Sequence, residues 1–230
     1  MATTQDVPFY LDFVSPYTWI ALMRADAVAR EQRIRWEMRP IVYSALLDAH
    51  GLVGPVERPA KRTYTFHDVA RTAQHLGLRF EGPPVHPFRS LEALRTQFLF
   101  RDAPQALRLA TNLADTCWGQ GRPLTDMGVI EEAVDEAGLE AMDLARRIAE
   151  SEIKDGLREQ TERALRLGIF GVPTFEFDGE LFWGHDRMDQ LVRRMQGIAP
   201  PAAELAGPFL TRPPGPQRTR APTGESGDKS

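Results

Sequence analysis

Three short runs in this chain carry residue types that do chemistry. Ser15-Pro16-Tyr17 joins an alternating apolar stretch to a helical one. Ser is a strong helix N-cap and Pro is favoured at the first helical position, so the tripeptide reads first as a well-capped helix. The same geometry has a second use. A helix N-terminus offers unpaired N–H groups and a partial positive charge, which stabilise an anion such as a thiolate. Gly171-Val172-Pro173-Thr174 precedes a strand pattern. Pro there either marks a strand start or edge, because it lacks a ladder donor, or forms a cis peptide with Val172. A cis bond would turn the carbonyl and N–H of Val172 outward, toward the backbone of a peptide-like ligand. Trp183-Gly184-His185-Asp186-Arg187 stands between the last strand pattern and the last helical one. Asp186 fits an N-cap there, with Asp189 three residues on. In the functional reading, backbone amides at that helix start hold a ligand carboxylate and Asp186 pairs with a ligand ammonium.

The remaining reactive types add little. His50, His67, His75, His86 and His185 have no metal-ligand spacing such as H-E-x-x-H, and Cys117 is the one cysteine, so no metal site is expected. Cys117 sits on an apolar helical stretch and reads as a small core residue rather than a nucleophile. The absence of a C-x-x-C motif argues against a dithiol oxidoreductase, and the nucleophile is expected to arrive with a cofactor.

The elements that must position these runs follow from periodicity. Val7, Phe9, Leu11 and Phe13 alternate as a strand, ending at Ser15-Pro16. A helix to about Arg30 and a strand from Ile34 to Ile41 complete a βαβ unit, if the strands are parallel. No good strand occurs from Ala45 to about Gly168. Helices are predicted there along Tyr64–Leu76, from the N-cap Ser90, from Pro104 as a first helical residue, over Val129–Ala137 and Leu139–Ala149, and along Ile153–Leu165. Strands then return at Thr174–Phe177 and Leu181–Trp183, around the hairpin signal Asp178-Gly179. Met188, Leu191, Val192 and Met195 mark a last helix. The order βαβ, all-helical, ββα is an α/β class, a thioredoxin-like fold with an inserted all-helical domain. The domain boundaries expected are 1–43 with 167–199 for the thioredoxin-like part and 44–166 for the insertion. Residues 200–230 form a C-terminal tail, disordered in part from about Pro213 because it is rich in Pro, Gly, Thr and Ser.

Composition narrows the function classes. The 230 residues are 42% hydrophobic, enough for a sizeable core. Charged residues make up 26%, interspersed in sign with a net charge of −4, so no basic stripe points to nucleic acid. No apolar run reaches the ~20 residues of a membrane span, and the polar start Met1–Val7 has no signal-peptide core. The chain reads as a cytoplasmic protein whose single cysteine fits a reducing compartment.

Taken in order, the runs resemble one family. They are Phe9-Tyr10-Leu11-Asp12-Phe13-Val14-Ser15-Pro16-Tyr17, Phe170-Gly171-Val172-Pro173-Thr174 and Phe182-Trp183-Gly184-His185-Asp186-Arg187. Pro59-Ala60-Lys61-Arg62-Thr63-Tyr64, Phe88-Arg89-Ser90-Leu91-Glu92-Ala93-Leu94-Arg95, and Trp118 with Gly121 add to them. Over residues 7 to 197 the set is similar to the 2-hydroxychromene-2-carboxylate isomerases, kin of the kappa-class glutathione transferases in the DsbA-like branch of the thioredoxin fold. The resemblance implies glutathione as cofactor and an isomerase acting on a small aromatic substrate, in aromatic-ring degradation. The reaction implied interconverts a 2-hydroxychromene-2-carboxylate-like hemiketal and a trans-o-hydroxybenzylidenepyruvate-like open form. It implies that Ser15 is catalytic and faces the thiol, with Pro16 and Tyr17 beside it. Val172 and Pro173 would hold the cysteinyl backbone, Trp183, Gly184, His185 and Asp186 the γ-glutamyl end, and Lys61 the glycyl side. A kappa-like transferase or a non-catalytic glutathione-binding protein are the alternatives. No nucleic-acid or membrane partner is expected, and a homodimer is one of the assemblies expected. The chain departs from the family on the substrate side: Leu52 stands in Gly51-Leu52-Val53-Gly54-Pro55 where an Asn is usual, and Arg89 where many members have Asn.

Overall fold

The computed structural model describes residues 4–213 and 215. Four strands form one sheet in the order β2-β1-β3-β4: β1 (Gln5–Leu11), β2 (Ile34–Pro40), β3 (Thr174–Phe177) and β4 (Glu180–Trp183). β1 and β2 run parallel, with Phe9 opposite Met38, and helix α1 (Pro16–Gln32) makes the crossover that parallel pairing requires. β3 is antiparallel to β1, with Phe9 opposite Phe175, and β4 is antiparallel to β3. The hairpin turn has Asp178 at φ 54° and Gly179 at φ 75°. Two consecutive positive φ values define a type I′ turn, which Asp-Gly suits.

β1 stops at Leu11, two residues short of the predicted strand end. Asp12 breaks the ladder: its carbonyl accepts from Ser15 N at 3.2 Å and its Oδ1 from Val14 N at 3.0 Å. The chain therefore turns before Phe13, and Ser15 arrives in extended conformation (φ −91°, ψ 119°) as the N-cap of α1, with Pro16 at the first helical position.

Among the described residues, the segment between β2 and β3 contains helices and no strand: α2 (Tyr43–Ala49), α3 (Pro59–His75), α4 (Leu91–Leu99), α5 (Ala106–Trp118), α6 (Met127–Glu136), α7 (Leu144–Arg147) and α8 (Ser151–Arg166). The sequence pattern does not reveal helix α2, because its seven residues span only two turns, too few to establish a helical period. Pro104 does not open α5, which begins at Ala106 after a turn whose Ala103 carbonyl accepts from Ala106 N at 2.9 Å. The predicted helix over Leu139–Ala149 is the single turn α7, reached through Asp143 at φ 54°. Ser90 does precede α4, but its hydroxyl caps nothing there; it donates to Asp12 Oδ1 at 2.6 Å.

One buried cluster runs from Phe9, Trp36 and Phe175 of the sheet through Trp19 and Ile20 of α1 to Leu94, Leu109, Leu113 and Trp118 of the helical block. Trp118 is fully buried and donates its Nε1–H to Phe13 O at 2.9 Å, tying α5 to the end of β1. After β4 come a 3-10 turn (His185–Arg187), α9 (Met188–Met195) and α10 (Ala202–Leu210). The expected tail thus begins with a helix, Pro208 included; the disorder expected from about Pro213 falls almost wholly outside the described residues. Among the described residues no helix is long and apolar enough to cross a membrane.

Candidate active site

The ends of β1 and β2, the start of β3 and the end of β4 meet the helical block around a cleft of about 620 Å³. Its wall includes Ser15, Pro16, Tyr17, Val172 and Trp183. Ser15 is 9% exposed. Its Oγ accepts from Thr18 N at 3.4 Å, the helix cap, and donates to Val172 O at 3.3 Å. The runs around Ser15 and Val172, 157 residues apart in sequence, are thus in direct contact. The Val172–Pro173 peptide is cis, and so is His86–Pro87, which the sequence reading did not single out.

Asp12 organises this corner. Its side chain is 2% exposed and has no cationic partner among the described residues. Instead Oδ1 accepts from Val14 N and Ser90 Oγ, and Oδ2 from Tyr43 N at 2.9 Å. Three donors from three segments compensate the loss of water, yet burial still pushes the carboxyl above the ordinary Asp range. This carboxylate fixes the Ser15 loop, the start of α2 and the start of α4 against one another.

Tyr17 leads away from Ser15. Its hydroxyl donates to Asp68 Oδ2 at 2.9 Å, and its ring stacks on His185 at 5.2 Å between centroids and 12° between planes. Burial, then the Asp68 carboxylate, raises the Tyr17 phenol, so it stays protonated. Burial lowers His185, which is therefore a neutral imidazole at pH 7. Asp186 does not cap α9. It lies inside the 3-10 turn, Arg187 takes the N-cap position, and the Asp186 carboxylate pairs with Arg187 at 2.9 Å. Gly184 before it has φ 109°, and a Cβ there would meet Asp186 Oδ1 at 2.5 Å, so the turn requires glycine. Trp183 is 52% exposed, packs edge-on against Phe170 at 4.8 Å, and stands so close to Gly171 that a Cβ there would lie 2.5 Å from Nε1.

Five of the ten sequence-selected residues therefore line the cleft. Pro173, Gly184, His185 and Asp186 adjoin that wall in sequence, and His185 reaches it through Tyr17. Lys61 is exposed in the first turn of α3 and does not line the cleft. Of the two departures from the resembled family, Arg89 lines it and Leu52 does not.

The DSBA-like thioredoxin domain family matches residues 6–196, most of the chain. The protein belongs to the DsbA-like thioredoxin family. A 2-hydroxychromene-2-carboxylate isomerase of Sphingobium xenophagum is 28% identical over 192 residues, covering 82% of this chain and 96% of that one. Human glutathione S-transferase kappa 1 is 27% identical over 214 residues, covering 85% and 95%. The solved structure of a 2-hydroxychromene-2-carboxylate isomerase superposes with a TM-score of 0.78 at 23% identity, covering 88% of this chain and 98% of that one.

This DsbA-like domain has Ser15 at its helix start, and its one cysteine lies elsewhere. Cys117 is fully buried in α5, and burial pushes its thiol up to about 12. Two further residues of the cleft escaped the sequence reading. Asp12 sat in a quoted run but was assigned no role, and its signal is an acidic residue in an otherwise apolar strand pattern. His86 donates its Nε2–H to Val14 O at 2.8 Å, beside Trp118 at 5.2 Å. That bond fixes the tautomer, and burial lowers the pKa, so the ring braces the Ser15 loop as a neutral group. Its only sequence signal is the His-Pro dipeptide.

Proposed function

We propose that this protein is a glutathione-dependent isomerase that interconverts a 2-hydroxychromene-2-carboxylate-like hemiketal and its trans-o-hydroxybenzylidenepyruvate-like open form. The observation that carries the reading is Ser15. It puts a buried hydroxyl at the N-terminus of a 17-residue helix, on the wall of a cleft of about 620 Å³. That volume lies within the ~300–1,000 Å³ that small-molecule sites use.

The residues present suit glutathione. The single Ser15 hydrogen is held to Val172 O by a long neutral bond at 3.3 Å, from which a sulfur anion readily draws it. Val172 offers its main chain beside that hydroxyl, and His185 and Asp186 follow Trp183 in the turn that would receive the γ-glutamyl end. Lys61 would meet the glycyl end from the exposed start of α3. When bound, glutathione would supply a nucleophilic thiolate whose reversible addition at the conjugated carbon makes the double bond single and free to rotate, and whose departure restores it. Ser15 donates its hydrogen bond at the sulfur position, and the N-terminus of α1 adds its field; both favour the ionised thiol. Neutral His86 braces Val14 and so holds the Ser15 loop. Leu47, Val56, Leu91 and Leu94 give the substrate an apolar wall that limits water. The single buried cysteine suits a cytoplasmic setting, which the proposal includes.

The kappa relative, similar at 27% against 28% for the isomerase, favours a second reading, a glutathione transferase that releases a conjugate. One experiment separates the two. A hydroxychromene carboxylate is incubated with enzyme and a small amount of glutathione, while the open form is followed by absorbance and free glutathione by mass spectrometry. The isomerase forms many equivalents of open acid and leaves glutathione intact. Stoichiometric consumption of glutathione assigns the transferase instead, and full turnover without glutathione rejects both.

A further inference from the structure

The cleft that holds Ser15 is uneven in charge. Among the described residues along its wall, Asp12 and Glu57 are the acids, and Arg89 is the one guanidinium or ammonium. Both acids are already engaged: Asp12 takes its three donors, and Glu57 Oε1 accepts from Gly54 N at 2.9 Å. His86, also on the wall, is neutral. Arg89 therefore supplies the fixed positive charge that this mostly apolar cleft has. Its side chain is 66% exposed, and Nη2 pairs with Glu92 Oε1 at 2.9 Å, in the first turn of α4. That pair orients the guanidinium and occupies one of its five donors, leaving others for a ligand. Arg89 is also tied to the catalytic corner. The next residue, Ser90, is bonded to Asp12 at 2.6 Å, and Asp12 holds Val14 N beside Ser15. The main chain at Arg89 is therefore held to the Ser15 loop by hydrogen bonds through Asp12.

We infer that Arg89 is the specificity-determining residue of the cleft and reads the carboxylate of a planar aromatic acid that lies on its apolar wall, near Leu91 and Leu94. The inference rests on the proposed isomerase for the identity of the acid. A guanidinium carries charge and a planar fork that matches a carboxylate.

The test uses 2-naphthoate and its neutral partner 2-naphthamide as unreactive probes, titrated calorimetrically into the full-length protein, with glutathione titrated separately. Arg89→Gln is expected to weaken naphthoate roughly 5- to 20-fold, the low part of the range for a charge-assisted bond because the side chain is so exposed. Naphthamide should bind the two proteins alike. Arg89→Lys should recover part of the loss. Glu92→Gln, which frees the guanidinium, should tighten naphthoate by about 2-fold or more. Raising the salt should weaken naphthoate in the wild type and not in Arg89→Gln. Equal losses for acid and amide, or no loss for the acid, would overturn the inference. So would an Arg89→Gln protein that loses glutathione rather than naphthoate, because the guanidinium would then serve the tripeptide. A wild type that selects naphthoate through Arg89 but never binds glutathione supports the inference and removes the isomerase.

Discussion

Replacing Ser15 with Ala removes two hydrogen bonds of different worth. The cap to Thr18 N is long at 3.4 Å, and Thr18 N also reaches Ser15 O at 3.1 Å, so the helix start survives. The stability cost is therefore at the low end for a cap, about 0.5–1 kcal/mol, which lowers the Tm by roughly 1–4 °C in a chain of this size. The other bond is the functional one. In the proposed mechanism it goes to a sulfur anion, where a charge-assisted bond contributes about 1.5–3 kcal/mol. Its loss raises the pKa of the bound thiol by roughly one to two units and slows the neutral-pH reaction about 10- to 150-fold. Glutathione affinity should change little, because Ser15 is one contact among several. The sign of the pH dependence follows: the mutant needs a higher pH to form thiolate, so its rate should climb toward the wild type as pH rises. The assay is a pH–rate profile of both proteins on a hydroxychromene carboxylate at saturating glutathione, with thiolate absorbance of the bound cofactor followed alongside. A mutant profile that is low and flat up to about pH 9, with an unchanged thiol pKa, would refute the reasoning.

Three further outcomes follow from the geometry. Asp12→Asn cannot satisfy all three donors with one carbonyl oxygen, so it should cost about 1–3 kcal/mol by thermal denaturation. Because the folded Asp12 binds its proton more tightly than an ordinary Asp, it favours folding as pH falls from neutral through the raised pKa. That part of the pH dependence should vanish in the variant. Asp186→Ala should weaken glutathione more than Cys117→Ala does in calorimetric titration. The half-exposed carboxylate, shared with Arg187, limits the effect to about 1 kcal/mol, roughly 5-fold; equal affinities would leave Asp186 as a turn residue only. Cys117, fully buried with its thiol raised to about 12, should resist an aromatic disulfide reagent in the native protein and react on denaturation; fast native labelling would show that α5 opens.

Local rules make much of this protein legible from its sequence. Alternation gave β1 and β2, because a strand exposes its faces with a period of two whatever it packs against. Asp178-Gly179 gave the β3–β4 turn, because both residues tolerate positive φ. Ser15-Pro16 gave the start of α1, because cap and φ preference act within four residues. The same locality explains the misses. Ser90 has the chemistry of a cap, but its hydroxyl found a buried carboxylate 78 residues away, an alternative that exists only once α4 packs against the end of β1. Asp186 looked like a cap until Gly184 at φ 109° set a 3-10 turn that moved the helix start to Arg187. Asp12, His86 and Arg89 follow no period, and Asp12 and Arg89 stand inside the resembled runs without a role that local rules could assign. Their roles come from tertiary closure, which strips water from Asp12 until Tyr43 N and Ser90 Oγ join the local Val14 N in replacing it, seats His86 on the Val14 carbonyl, and leaves one guanidinium on an apolar wall. Sequence could name the residues able to meet at the cleft. The tertiary structure decided which of them do, because desolvation and long-range hydrogen bonds depend on neighbours that the order of residues alone does not specify.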